Sequence, residues 1–250
     1  MAAVSFLNTV PLVWGMLHGR QRDLFGLDFC LPAECARRLE TGAADIGIVP
    51  AVELPRLGLE VIRGAGIACR GAVRSILLVS KTPLREIRTL AADASSRTSV
   101  MLARIILAER YGAEPRISAH PPDLGEMLRH ADAALVIGDP ALRVDPSTLS
   151  HRVVDLGEEW VSFTGKPMVF AVWAAQPDLD TAALAPAFAD SLRQGLGDLE
   201  GIVRQEAAPR GLSETLARDY LTRRVTFELG ENEIQGLELF LEYARRAVPV

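Results

Sequence analysis

The 250-residue chain lacks most features that assign a protein at sight. No run of about 18 or more apolar residues occurs, which excludes a membrane-spanning helix. The N-terminus carries no charged segment followed by a long apolar core and a small-residue cleavage site, so the expectation is a cytoplasmic chain without a secretory signal. No Lys/Arg-rich run appears and the formal net charge is −5, which leaves no electrostatic footprint for nucleic acid. Cysteine is scarce: Cys30, Cys35 and Cys69 are odd in number, match no zinc spacing and form no C-x-x-C, so they are read as reduced thiols. His18, His120, His130 and His151 are scattered, and no H-E-x-x-H pattern occurs. A metal site therefore has little support. A Gly-rich mononucleotide loop and a G-x-S-x-G nucleophile elbow are both missing, which disfavours ATP and elbow-type hydrolysis.

What is present is a soluble globular pattern, with 49% apolar and 24% charged residues in a length that suits one large or two modest domains. Short apolar strands alternate with helices through the first two thirds. Strands are expected at 27–30, 44–50, 59–62, 66–69, 75–80, 89–92, 133–137 and 168–173, and helices at 33–40 and 100–111. After 173 the chain reads as largely helical, with helices at 181–199, 213–221 and 232–248. Such alternation predicts a mostly parallel sheet covered on both faces. Two long apolar strands, 75–80 and 168–173, read as a path out of one lobe and back into it. The expected division is a discontinuous lobe one, residues 1–75 plus 168–250, and a lobe two, residues 76–167. A ligand would sit in the cleft between them. One continuous doubly wound sheet is the alternative.

The residues fit for chemistry lie where strands end. An apolar strand runs into Asn8-Thr9-Val10-Pro11, and Pro11 suits a helix start because its missing N–H would have no partner there. Asn8 and Thr9 therefore stand at a strand's carboxyl end beside a helix N-terminus, where open α/β sheets bind ligands; plain helix capping is the alternative. Ser95, Ser96, Arg97, Thr98 and Ser99 crowd the start of the 100–111 helix. Hydroxyls, free N–H groups, the helix dipole and one guanidinium can together hold a carboxylate or phosphate, a capped, solvent-exposed helix start being the alternative. Gly138 and Asp139 end a buried strand before a proline turn, with turn geometry as the simpler explanation and Asp139 a candidate polar contact. Asp45 is read as a structural turn. Ser75 begins the outgoing strand, where its hydroxyl would face the cleft; a strand-edge serine bonded to backbone is the alternative. Trp14, Trp160 and Trp173 are read as packing, and 156–160 near Thr164 and Gly165 as a surface loop, with a place at the cleft mouth as the alternative.

Five motifs in this order resemble one family: Ser5-Phe6-Leu7-Asn8-Thr9-Val10-Pro11-Leu12, the 42–50 stretch GAADIGIVP, Ser95-Ser96-Arg97-Thr98-Ser99, Pro121-Pro122-Asp123-Leu124, and the 137–142 stretch IGDPAL. The chain is similar to the chorismate dehydratases of the futalosine route to menaquinone over about residues 1–175, with looser agreement beyond. The resemblance implies a two-lobe, periplasmic-binding-protein-like (type 2) α/β fold with an interlobe ligand cleft. It implies a cofactor-independent hydro-lyase turning chorismate, a dicarboxylate, into 3-[(1-carboxyvinyl)oxy]benzoate and water. It also implies Asn8 and Ser75 as catalytic residues, with Thr9, Ser95 to Ser99, Gly138 and Asp139 binding substrate. The family pattern leads one to expect a slightly longer first strand. Two rival readings are a non-catalytic small-anion-binding protein and the dihydroxynaphthoate-forming enzyme of the same pathway, whose far larger substrate suits the serine-rich turn poorly.

Overall fold

Apolar runs bounded by Gly, Pro and polar turn residues become strands of two separate sheets in a computed structural model that describes residues 1–247. In chain order the strands are β1 (Ala2–Val4), β2 (Asp28–Cys30), β3 (Ile46–Pro50), β4 (Glu60–Cys69), β5 (Ile76–Ser80), β6 (Thr89–Asp93), β7 (Arg116–His120), β8 (Ala133–Ile137), β9 (Arg152–Asp155), β10 (Met168–Ala175) and β11 (Thr226–Leu229). The helices are α1 (Val10–His18), α2 (Pro32–Glu40), α3 (Leu54–Leu57), α4 (Thr98–Tyr111), α5 (Leu124–His130), α6 (Gly138–Arg143), α7 (Leu156–Thr164), α8 (Thr181–Gly197), α9 (Leu199–Glu206), α10 (Glu214–Asp219) and α11 (Glu231–Ala247). The expected helix at 232–248 is α11; its last residue, and the 248–250 end of the expected lobe one, lie outside the described residues.

The first sheet has the order β11-β4-β10-β3-β1-β2, and the second β7-β6-β8-β5-β9. The returning strand β10 lies between β3 and β4 and pairs antiparallel with both. In the second sheet β5 lies between β8 and β9, again antiparallel to each. The expectation of mostly parallel sheets is therefore corrected: only β1 with β2 and β3, and β6 with β7 and β8, run parallel. A strand that arrives from another sheet enters from the far end, and periodicity carries no information about direction.

Three further expectations change. Residues 59–62 and 66–69 form one strand, β4, stepped at Gly64, whose φ of 99° only glycine adopts easily. The 156–160 stretch is the start of α7, not a surface loop. Asp155 caps it by accepting from the N–H groups of Gly157 (2.9 Å) and Glu158 (3.1 Å), and Trp160 is fully buried with its Nε1 donating to Pro167 O at 3.1 Å. Finally, β7, α5 and β11 arise where no apolar run announced them; β7 in particular has no fully buried residue.

The chain passes between the sheets at 70–75 and at 165–167. The outgoing passage is tied down by Asp155, whose carboxylate accepts from Val73 N (3.1 Å) and Arg74 N. Arg74 takes a left-handed φ of 68°, a strained conformation for a side-chain-bearing residue, and its guanidinium donates to the carbonyls of Ala141 (3.0 Å) and Val144. Apolar side chains from both sheets merge in one large core, including Trp160, Trp173, Phe188 and Phe240.

Candidate active site

The carboxyl end of β1 leads through Ser5 and Phe6 into a tight turn, Leu7–Thr9, and then into α1. Neither Asn8 nor Thr9 makes a side-chain cap bond there, so the capping alternative is set aside. Asn8 instead donates from Nδ2 to the hydroxyl of Tyr220 at 2.9 Å, and Tyr220 donates to Ser75 Oγ at 2.9 Å. Tyr220 opens a single wide helical turn, Tyr220–Arg224, of the i→i+5 kind that recurs at functional sites. It is 1% exposed, and burial pushes its phenol well above the ordinary value of 10.0. The other amide atom, Asn8 Oδ1, is buried and has no hydrogen-bond partner among the described residues.

Asn8 and Ser75 line a cleft of about 540 Å³, its open mouth included. Val4, Phe6, Pro32, Pro50, Ile67 and Phe170 give it an apolar wall from the first sheet's side. Opposite stand Ile76, Ile137, Gly138 and the start of α4, namely Ser96, Arg97, Thr98 and Ser99. The helix begins at Thr98, two residues earlier than expected, which puts Thr98 and Ser99 in its first turn. Its first backbone bond runs from Met101 N to Arg97 O at 3.1 Å, so the preceding N–H groups have no helical carbonyl to meet. The hydroxyls of Ser96 and Ser99 make no side-chain hydrogen bond among the described residues. That of Thr98 accepts from Val52 N at 3.3 Å. The Arg97 guanidinium pairs with Glu53 at 3.0 Å, across from the first sheet's side. An anion entering the cleft would meet N–H groups, two uncommitted hydroxyls and a guanidinium held near it by one carboxylate.

Of the residues singled out from sequence, the cleft thus brings together Asn8, Ser75, Ser96, Arg97, Thr98, Ser99 and Gly138. Three others are placed beside it. Thr9 is fully buried behind the lining, its hydroxyl unpartnered among the described residues. Ser95 gives both its N–H (2.9 Å) and its hydroxyl (2.7 Å) to Asp93 Oδ1, while its carbonyl accepts from Ala33 N at 3.1 Å. Asp139 is engaged on both oxygens, accepting from Leu7 N at 2.9 Å and from Arg210 Nη1 at 2.8 Å. That guanidinium nitrogen also donates to Ser5 O at 2.7 Å, so Asp139 ties the second sheet to the segment that carries Asn8. Gly138 has a left-handed φ of 60°, and its N–H donates to Ser75 O at 2.8 Å. A Cβ there would stand 2.6 Å from the Phe6 ring.

Sequence reasoning missed Tyr220 and Arg210. Both lie in the helical tail, Tyr220 within an expected helix and Arg210 between two of them, and no local pattern marks them.

No helix among the described residues is long and apolar enough to cross a membrane. The sequence profile of a family described as menaquinone biosynthesis matches residues 1–246. The chorismate dehydratase of Thermus thermophilus is 30% identical over 257 aligned residues, covering 95% of this chain and 92% of that protein. Among solved structures, a protein of Archaeoglobus fulgidus superposes with a TM-score of 0.79 at 17% identity, over 98% of this chain and 96% of that one. The periplasmic aliphatic sulphonate binding protein of Escherichia coli gives a TM-score of 0.64 at 14% identity, over 100% and 87%. A Candida albicans protein described as having the generic periplasmic binding protein fold gives 0.63 at 12%, over 100% and 90%. At these identities the solved structures establish the fold alone, and it is the periplasmic-binding-protein-like fold that the motifs implied.

Proposed function

This chain belongs to the menaquinone-biosynthesis family, and from that premise we propose that it is a chorismate dehydratase, forming 3-[(1-carboxyvinyl)oxy]benzoate and water. The observation that carries the reading is a single cleft with two unlike polar ends. The start of α4 is suited to a carboxylate, and the Asn8–Tyr220–Ser75 chain is suited to a neutral hydroxyl. Chorismate has both kinds of group.

The chemistry suits a site without an evident side-chain base. One ring C–H bond breaks and its electron pair completes the aromatic ring as the neighbouring C–O bond breaks. The proton passes to a carboxylate of the substrate's own enolpyruvyl group and leaves with the departing hydroxide as water. Aromatisation supplies driving force, so the protein's task is to orient the substrate and stabilise the departing oxygen. In this reading Ser96, Thr98, Ser99 and Arg97 hold a carboxylate, while Asn8 and Ser75 hold the ring hydroxyl. Gly138 keeps the cleft wall close, and Thr9, Ser95 and Asp139 shape the site from behind. The two sheets with their helices act as lobes, 1–75 with 168–250 and 76–167, that close over the substrate in the cytoplasm without metal or organic cofactor.

The test is the ultraviolet spectrum of chorismate incubated with chelated, dialysed protein and no additives. A change to a benzoate spectrum is expected. An unchanged spectrum with binding retained would favour a small-anion-binding protein instead. Turnover only after a specific divalent ion is restored would overturn cofactor independence. Activity only on a much larger substrate would favour the dihydroxynaphthoate-forming step.

A further inference from the structure

We propose that Tyr220 is a positioning residue for the elimination, setting the direction of a hydrogen-bond chain that makes Ser75 a donor to the departing hydroxyl. This rests on the dehydratase reading and adds to it a residue from the far end of the chain, 145 positions from Ser75 and 212 from Asn8.

The argument begins with counting protons. A phenol has one proton to give, and Tyr220 gives it to Ser75 Oγ. Its oxygen meanwhile accepts from Asn8 Nδ2. With its oxygen already accepting from Tyr220, Ser75 has its own proton left to offer, and Ser75 lines the cleft. The chain therefore runs one way, from amide to phenol to serine to cleft, and successive bonds polarise one another in that direction. The same arrangement orients the Asn8 amide. With Nδ2 committed to Tyr220, Oδ1 is left as a buried acceptor without a partner among the described residues, on a residue 92% removed from solvent that lines the same cleft. A substrate hydroxyl fits both vacant roles at once, giving its proton toward Asn8 Oδ1 and receiving one from Ser75 Oγ.

Tyr220 can hold this pattern because of where it sits. It is fully buried, so its hydroxyl stays protonated and cannot reverse the chain by ionising, and it opens a wide helical turn that aims the ring inward. As the C–O bond breaks, charge grows on the departing oxygen, and a donor already aimed at it stabilises that charge more than it stabilises bound substrate. Tyr220 should therefore act on kcat through Ser75, with little effect on KM.

The experiment is a double-variant kinetic cycle on the full chain, using Tyr220→Phe, Ser75→Ala and both together, with chorismate as substrate and thermal melting as a check on folding. Expected is a fall in kcat of about 10²-fold for Tyr220→Phe, the size seen on losing one preorganised donor. KM should stay within a few-fold, and the double variant should be slower than Ser75→Ala by far less than this factor, the remainder reflecting only the lost hold on the Asn8 amide. A wild-type kcat in Tyr220→Phe overturns the proposal. So do losses that multiply in the double variant, because a merely structural tyrosine would act independently of Ser75. Should Tyr220→Phe fail to fold, 3-fluorotyrosine incorporated at position 220 keeps the hydroxyl and strengthens it as a donor. A rise in kcat at unchanged KM then supports the role, and an unaltered kcat overturns it. A wild type that leaves chorismate untouched overturns the dehydratase reading itself and this role with it.

Discussion

Asn8 has two polar side-chain atoms at the cleft, one bonded and one buried without a partner among the described residues. Replacing its amide by a carboxylate changes little in size and a great deal in hydrogen bonding. In Asn8→Asp the residue becomes an acceptor on both oxygens, so Tyr220 would turn its proton toward it and Ser75 would turn its own proton back to Tyr220. The departing hydroxyl loses its donor and gains a nearby negative charge. Turnover of chorismate should fall by about 2–4 kcal/mol in barrier height, as on loss of a preorganised donor. Because Asn8 caps no helix, stability is not protected by a capping carboxylate, and melting should fall as well through the buried charge. Rates and melting curves of the two proteins check this; an unchanged rate with a lowered melting temperature would make Asn8 a packing residue.

At the scale of elements, the second cleft wall depends on Gly138. Alanine there would meet both a left-handed φ and the Phe6 ring, so Gly138→Ala should cost about 1–3 kcal/mol in stability. It should also raise KM, since Phe6 lines the cleft and must move. Denaturant unfolding and substrate titration read the two effects separately. The elements that carry the site were also the most legible in sequence. A strand ending in Asn-Thr-x-Pro and a turn of four hydroxyl residues around an arginine announce themselves by local chemistry, and both line the cleft. The strands β3, β5, β8 and β10 were equally plain, because strands buried on both faces read as unbroken apolar runs. What stayed hidden has physical reasons. The β7 and β11 strands are short edge strands with exposed positions, so their pattern is weak. Tyr220 reaches the site through tertiary folding alone, and its neighbours in sequence carry no trace of Asn8 or Ser75.

Across the whole molecule, Asp139 is one of the polar links between the two sheets, joining the start of α6 to Leu7 and Arg210. In Asp139→Ala, Leu7 N loses its acceptor and Arg210 keeps only Glu206 as a charged partner. We expect a loss of about 1–3 kcal/mol, the cost of leaving a buried N–H without its acceptor, together with a more open particle in small-angle scattering. Normal stability and an unchanged scattering profile would show that closure rests on apolar packing instead. The core also fixes a response to alkali. Burial pushes the Cys69 thiol from its ordinary 9.0 up to about 12. An unfolded chain releases that proton from about pH 9 onward while the folded one retains it, so stability should fall as pH rises from 9 toward 12. Melting temperature against pH should show this slope, and Cys69→Ala should make it shallower without removing it, because the buried Cys35 thiol and Tyr220 phenol are pushed up as well.

The position of β10 between β3 and β4 has a consequence for how the polypeptide comes into being. A ribosome delivers β1 to β4 first, then the entire second sheet, and only then the strand that joins the two halves of the first sheet. For the time it takes to make residues 70–167, β3 and β4 have no neighbour between them, and their apolar edges face whatever else is present. The nascent chain must complete its inserted lobe while the outer one waits unfinished, so a chain that stalls before residue 168 is left with one open edge on β3, both edges of β4 unpaired because β11 is also still to come, and the makings of an aggregate.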